Sequence, residues 1–177
     1  VRLQRLGYFE EVNIETPSVP GTTDQVDVIV TVVEKPSGSF LAGVGFSQSQ
    51  GFVVNTEVNQ ENFLGTGNRV SATFNNSDVN RTFAVSYLNP YWTIDGVSRS
   101  FDLFYRETDA SNANLADYST TTMGGGTEFG IPINEFDRLN LGLNADFTDF
   151  RAEPGASREV RAFERANPDG YFTWRLN

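Results

Sequence analysis

Leu139-Asn140-Leu141-Gly142-Leu143-Asn144-Ala145-Asp146-Phe147 places an apolar residue at every odd position and Asn, Gly or Asp at every even one. Successive side chains of a β-strand point to opposite faces, so this segment is a strand with one apolar and one polar face. Working outward, the same period-two pattern recurs at Phe101, Leu103, Tyr105; Phe83, Val85, Tyr87; Val70, Ala72, Phe74; Val54, Thr56, Val58; Phe40, Ala42, Val44, Phe46; and Phe172, Trp174, Leu176. Between Thr120 and Ile131 the pattern is weaker, because Gly124-Gly125-Gly126 lowers strand stability and invites a bulge or close packing. Counting that segment, about eight strands follow Ser39, the last one incomplete.

The connections supply the topology. Leu64 to Asn68, Asn89-Pro90 with Asp95-Gly96, and Pro132 to Asn134 carry turn residues and fall on one side of the sheet. On the other side fall Ser47 to Gly51, Asn75 to Asn80 and two longer connections, Glu107 to Ser119 and Phe150 to Gly170. Dyad-period segments of about ten residues with short turns at one end and longer loops at the other are the signature of a transmembrane β-barrel. Phe63, Tyr91 and Trp92 cluster near the tight turns, where an interfacial aromatic girdle would sit, although aromatics also collect at strand ends of soluble sandwiches. A soluble carbohydrate-binding sandwich and an outer-membrane barrel enzyme therefore stay open at this stage. Within the longest connection, Ser157 to Ala166 spaces Val160 and Phe163 as a short surface helix would, with a disordered loop as the alternative.

Composition sets limits. No stretch approaches the roughly 18 to 20 apolar residues of a helical membrane span. A hydrophobic content of 38% and a mean hydropathy of -0.35 still suit a barrel, in which only alternate residues face lipid. The net charge of -10 argues against a nucleic-acid partner, since phosphate repels an acidic surface. With neither Cys nor His in the chain, the usual zinc sites and His-based acid–base chemistry are excluded.

Residues 1–36 read as a separate unit: a helix end at Val1 to Gly7, a strand over Val12 to Thr16, a turn at Pro20-Gly21, and a second strand with Val26, Val28, Val30 and Val32 on one face. This is the tail of an α+β module, since a hairpin by itself is marginal in water. Lys35-Pro36-Ser37-Gly38 breaks the pattern and opens the second unit, residues 37–177. Both ends look cut, so the chain reads as a fragment of a larger protein.

No catalytic constellation is present: there is no nucleophile elbow, no His partner, and no Lys-Ser/Thr after the glycine run to make a phosphate loop. Neither enzymatic activity nor a cofactor is expected. Asp78, Asp109, Asp117, Asp146, Asp149 and Glu153 are oxygen ligands of the type hard cations take, but their spacing fits no calcium loop, and solvated loop charge is the preferred reading. Gly43 and Gly45 occupy successive inward positions of the first barrel strand, which makes that strand a weak edge or else a site of tight packing.

Several motifs run in order: Arg2-Leu3-Gln4-Arg5-Leu6-Gly7-Tyr8-Phe9, Val19-Pro20-Gly21, Asp24-Gln25-Val26-Asp27-Val28, Gly38-Ser39-Phe40, Glu61-Asn62-Phe63-Leu64-Gly65-Thr66-Gly67, Asn89-Pro90-Tyr91-Trp92-Thr93-Ile94-Asp95-Gly96 and Phe129-Gly130-Ile131-Pro132-Ile133-Asn134-Glu135. Together they resemble the BamA family, the central subunits of the bacterial outer-membrane β-barrel assembly machine. The resemblance implies a mainly β fold: the C-terminal part of the last periplasmic POTRA module in residues 1–36, then the N-terminal half of an antiparallel transmembrane β-barrel. It implies periplasmic short turns, extracellular long loops and a bacterial outer-membrane location. The implied function is templated folding and insertion of β-barrel proteins through a lateral seam. Ser39, Phe40, Leu41, Ala42, Gly43, Val44, Gly45 and Phe46 form the implied client-strand pairing edge. The implied partners are nascent outer-membrane β-barrel proteins, periplasmic accessory lipoproteins and outer-membrane lipid. A related outer-membrane polypeptide secretion or translocation barrel is the alternative.

Overall fold

The computed structural model describes residues 9–22, 24–112, 116–134 and 136–177. The chain divides into two compact units, Val1–Gly38 and Ser39–Asn177. In the first, β1 (Phe9–Glu15) pairs antiparallel with β2 (Ile29–Glu34), matching Ile14 to Val30 and Val12 to Val32. The second strand begins later than the valine pattern suggests. Val26 makes only an isolated bridge to Ser18, in the same register as the strand pair, because Pro17, between Ser18 and β1, has no N–H for the ladder and only accepts from Asp27 at 2.9 Å; beyond the bridge Gly21 turns the chain at φ 86°. The helix end expected at Val1 to Gly7 lies outside the described residues.

The second unit is one antiparallel sheet of eight strands in sequence order. They are β3 (Gly38–Ser47), β4 (Gly51–Gln60), β5 (Arg69–Asn76), β6 (Asn80–Asn89), β7 (Ser98–Asp109), β8 (Tyr118–Pro132), β9 (Arg138–Ala152) and β10 (Tyr171–Leu176). β3 and β10 are the two edges, so the sheet is not closed within this chain. One helix, α1 (Arg158–Ala166), lies in the connection before β10, which settles the helix-or-disorder alternative for that segment. Ser157 caps it by accepting the Val160 N–H at 3.3 Å. Phe163 anchors it against Phe150 and Tyr171, with ring centroids at 5.1 and 5.8 Å.

The glycine-rich segment, expected to be weak, belongs to β8, one of the two longest strands. Close packing explains the glycines. A Cβ on Gly125 would lie 2.6 Å from the Asp102 carbonyl oxygen, one on Gly124 would lie 2.8 Å from that of Ala145, and one on Gly126 would run into the Asn144 amide. Bare backbone here lets β7, β8 and β9 approach without steric conflict.

The two sides of the sheet carry the connections expected, but their lengths differ from expectation. At the near end, where the chain enters β3, lie residues 61–68, 90–97 and 133–137; at the far end lie 48–50, 77–79, 110–117 and 153–170. Extension of β7 to Asp109 and of β8 back to Tyr118 turns residues 107–109 and 118–119 of the supposed loop into ladder and shortens the connection to 110–117. Only 153–170 is long, so the regular short-and-long alternation is absent and the far-end asymmetry rests on one connection.

Register, rather than loop length, carries the membrane reading. Phe74, Phe83, Tyr105, Met123, Phe147 and Phe172 form one continuous cross-strand row. The next row is Val58, Ala72, Val85, Leu103, Gly125, Ala145 and Trp174. A third holds Val70, Tyr87, Phe101, Thr127, Leu143 and Leu176. On β9 the apolar positions run from Leu139 to Phe147, about 27 Å of strand at roughly 3.4 Å per residue, a length suited to a tilted membrane crossing. The opposite face carries Asn59, Ser71, Ser86, Asp102, Asn144 and Arg175 in a single row.

Nothing among the unit's described residues covers the apolar face. Among the described residues the buried apolar side chains are Val79, Ala110 and Ala156, all at the far-end connections, while Val85 is 51% exposed and Leu103 69%. A sandwich would bury this face under a second sheet. A contiguous apolar band with no second layer instead suits lipid as its solvent. No described helix is long and apolar enough to cross a membrane, which leaves crossing to the strands. Val85, in the middle row, tests the assignment. In the full-length protein Val85→Arg should lower refolding stability in lipid by about 2–4 kcal/mol if the site lies near the midplane, and urea-dependent refolding into vesicles measures it.

Candidate functional site at the open sheet edge

The eight residues Ser39 to Phe46 all lie in β3, an edge strand that hydrogen-bonds β4 on one side and, among the described residues, no strand on the other. Alternation puts Phe40, Ala42, Val44 and Phe46 on the outward face and Ser39, Leu41, Gly43 and Gly45 on the inward one. Phe40, Val44 and Phe46 are 71–78% exposed, more than the outward apolar residues of β6, because a strand with one neighbour gains only half the lateral cover.

Sheet edges in natural proteins are usually blunted by charge, proline or a bulge, since unpaired N–H and C=O groups recruit other strands. Ser39 to Phe46 contains no charged residue and no proline. Its polar backbone edge is thus presented beside an apolar face, an arrangement able to accept an added strand by main-chain pairing.

The two inward glycines of this strand are unlike each other. A Cβ on Gly43 would run into the side-chain amide of Asn55 on β4, whereas one on Gly45 would meet nothing within 4 Å. Tight packing therefore accounts for Gly43, and Gly45 leaves a thin place in the strand.

The acidic residues do not converge. Among the described residues no three metal-capable side chains gather. Asp146 pairs with Arg175 at 2.9 Å and Asp149 with Arg151 at 3.1 Å. Asp109, beyond the apolar rows at the far end of β7, accepts from the Ser111 hydroxyl at 2.6 Å and from the backbone N–H groups of Ser111 and Asn112 at 3.0 and 3.1 Å. The Ser111 hydroxyl, followed by the Asn112 N–H, holds its carboxyl below the ordinary aspartate value of 3.8. Asn112 also donates to the Asp78 carbonyl at 3.0 Å, tying the 110–117 connection to its neighbour.

Sequence reasoning passed over Arg99. It stands on the outward face two positions before Phe101, and a positive charge breaking an otherwise apolar alternation was the signal available.

An antiparallel sheet with a membrane-deep apolar band, a polar opposite face and aromatic residues at its near-end border defines a segment of a transmembrane β-barrel. The Omp85 superfamily domain matches residues 62–177, and the chain belongs to the Omp85 superfamily. It is 34% identical over 147 residues to the outer membrane protein assembly factor BamA of Neisseria meningitidis serogroup B, covering 82% of this chain and 18% of that protein. Against the chloroplastic outer envelope protein 80 of Arabidopsis thaliana, identity is 26% over 163 residues, covering 85% of this chain and 22% of that protein. The crystal structure of BamA from Haemophilus ducreyi lacking POTRA domains 1-3 superposes with a TM-score of 0.75 at 29% identity, covering 99% of this chain and 35% of that one. The chain thus spans about a fifth of the length of these curated relatives.

Two outcomes are expected here in the full-length protein. Gly45→Ala should stabilise the folded barrel by about 0.5 kcal/mol through reduced backbone entropy of the unfolded chain. Gly43→Ala should gain less, because the Asn55 amide must move; urea refolding of the pair gives the order. Because Asp109 titrates lower in the fold than in the unfolded chain, its stabilisation is complete above pH 3.8 and is lost as pH falls through the lower folded value. Hydrogen exchange at Ser111 and Asn112 should accelerate over that acid range, and Asp109→Ala should abolish most of the pH dependence.

Proposed function

We propose that residues 1–36 are the end of the last periplasmic POTRA module and that residues 37–177 are the first part of an outer-membrane β-barrel acting in outer-membrane protein assembly. The observation that carries this reading is the uncharged, proline-free, unpartnered edge of β3 beside a band suited to lipid. A client strand arriving there finds donors and acceptors at the strand spacing, and main-chain pairing tolerates many client sequences. Pairing at the membrane border lets the client satisfy its backbone before it meets hydrocarbon, where unsatisfied N–H and C=O groups are expensive. The strand's own sequence helps: Gly45 adds no side chain between client and lumen, and Phe40, Val44 and Phe46 extend the apolar band onto the incoming strand.

Nascent outer-membrane β-barrel proteins are the substrates in this reading, and periplasmic accessory lipoproteins the partners on the near-end side. The near-end turns then face the periplasm and the far-end connections the cell exterior. The mechanism uses hydrogen bonding and the hydrophobic effect and invokes no covalent step.

Single cysteines at Ser39, Leu41, Gly43 and Gly45 of the full-length protein should cross-link to a stalled client barrel, in a register that advances with the client. Cysteines at Asp102 and Phe104 should not, because both edges of β7 are already paired. A disulfide locking β3 to the strand that closes the barrel should stop client insertion while leaving the barrel folded. Insertion at the unlocked rate would rule out pairing at β3 and favour passage through the lumen, as in a secretion barrel.

A further inference from the structure

Arg99 is in register with Asn89 and Phe129, on the outward face and at the near-end border of the apolar rows. Its guanidinium lies over two rings, 4.8 Å from the Trp92 centroid and 4.9 Å from that of Phe101, and Trp92 packs on Phe129 at 5.5 Å. Among the described residues no carboxylate pairs with Arg99, and its Nε–H is buried without a hydrogen-bond partner. Arg81, at the other border of the same face, shows the ordinary solution: Glu107 lies 3.3 Å from it and the Asn76 side chain accepts at 3.0 Å.

Ring faces attract the cation but offer no lone pair to its N–H groups. The platform therefore fixes the guanidinium; its Nε–H is enclosed, and the two Nη groups are the donors left for an anionic acceptor with several oxygens. At this depth, one row beyond Tyr87 and Phe101 and beside the exposed Tyr91 and Trp92, the surroundings are the headgroup zone rather than hydrocarbon. We propose that Arg99, held on Trp92 and Phe101, binds the phosphate of a phospholipid headgroup in the near-end leaflet. The geometry of phosphate suits it, since two of its oxygens can accept parallel N–H bonds from one guanidinium. A lipid fixed beside the 90–97 turn would pin the height of β6 and β7 in the membrane. This inference rests on the outward face being lipid-facing, and it does not depend on client pairing at β3.

The test is native mass spectrometry of the delipidated full-length protein in detergent, titrated with dioleoyl phosphatidylglycerol. Arg99→Gln should weaken retention of one lipid about tenfold, and Arg99→Lys should recover part of it. Dioleoylglycerol, which lacks the phosphate, should bind parent and Arg99→Gln equally weakly, and millimolar inorganic phosphate should not displace the lipid. Equal phosphatidylglycerol retention by parent and Arg99→Gln would overturn the proposal. So would displacement by inorganic phosphate, which would make this a free-anion site. Heat-modifiable mobility reports folding, and if Arg99→Gln fails it, Trp92→Leu decides: severalfold weaker binding is expected, and unchanged binding overturns the site. Client insertion measured on the same preparations separates the two readings. A parent that holds lipid through Arg99 yet inserts no client removes the assembly function alone, whereas a parent that inserts clients but retains lipid no better than Arg99→Gln removes this site alone.

Discussion

Every strand of the large sheet has to find its hydrogen-bond partners in another strand, because the apolar band leaves no water to supply them. The unbroken ladders from β4 to β10 meet that requirement without a gap in register over the membrane-deep rows. Much else follows from it. The glycines of β8 are tolerated because backbone pairing on both sides holds a segment that side-chain packing could not. The outward aromatics line up in rows, with Phe74 and Phe83 rings 4.7 Å apart, because register leaves them nowhere else to go. Cross-strand pairs of this kind contribute about 0.2–1 kcal/mol each, small beside the cost of an unpaired backbone in lipid.

That same constraint makes β3 the exceptional strand. Its inner flank joins β4, and its outer flank holds a run of main-chain groups that combines an apolar face with an absence of blunting charge. At the other edge, β10 carries Arg175, engaged with Asp146 across the inward face. Two borders then frame the band on the outward side. At the far end Glu107 neutralises Arg81, and the Asn76 side chain accepts from its Nε–H. The near-end Arg99 is met by aromatic faces, and the difference between the two arginines is what singles out a lipid phosphate there.

Period-two alternation made the strands, their faces and their order legible, since burial on one face demands it and a slip of one residue would reverse every side chain. For Ser39 to Phe46 the glycines left two readings open, a weak edge or tight packing, and only the family resemblance pointed to the edge; the sheet order puts that strand at an edge of this chain's sheet. Loop lengths were not legible, because turn residues such as Asn75 or Glu107 also occur in strands when a neighbour extends alongside. Thr120 to Ile131 was underestimated for the same reason: glycine propensity is a local penalty, and the ladders to β7 and β9 outweigh it. In the small unit, the valine run over-read the second strand, as the pattern cannot say where pairing begins.

What the sequence by itself determined is therefore the two-unit division near Gly38, the antiparallel strand order, the lipid-suited face and the absence of His- or Cys-based chemistry, all properties of local pattern and composition. Only the tertiary structure decided which glycines are packed and which stand open, that the acidic side chains disperse into separate turns and ion pairs, and that Arg99 lies between two rings without an acceptor. Those facts depend on which residues sit opposite one another across strands tens of positions apart, and register of that kind is set by cooperative pairing of the whole sheet, not by any single segment.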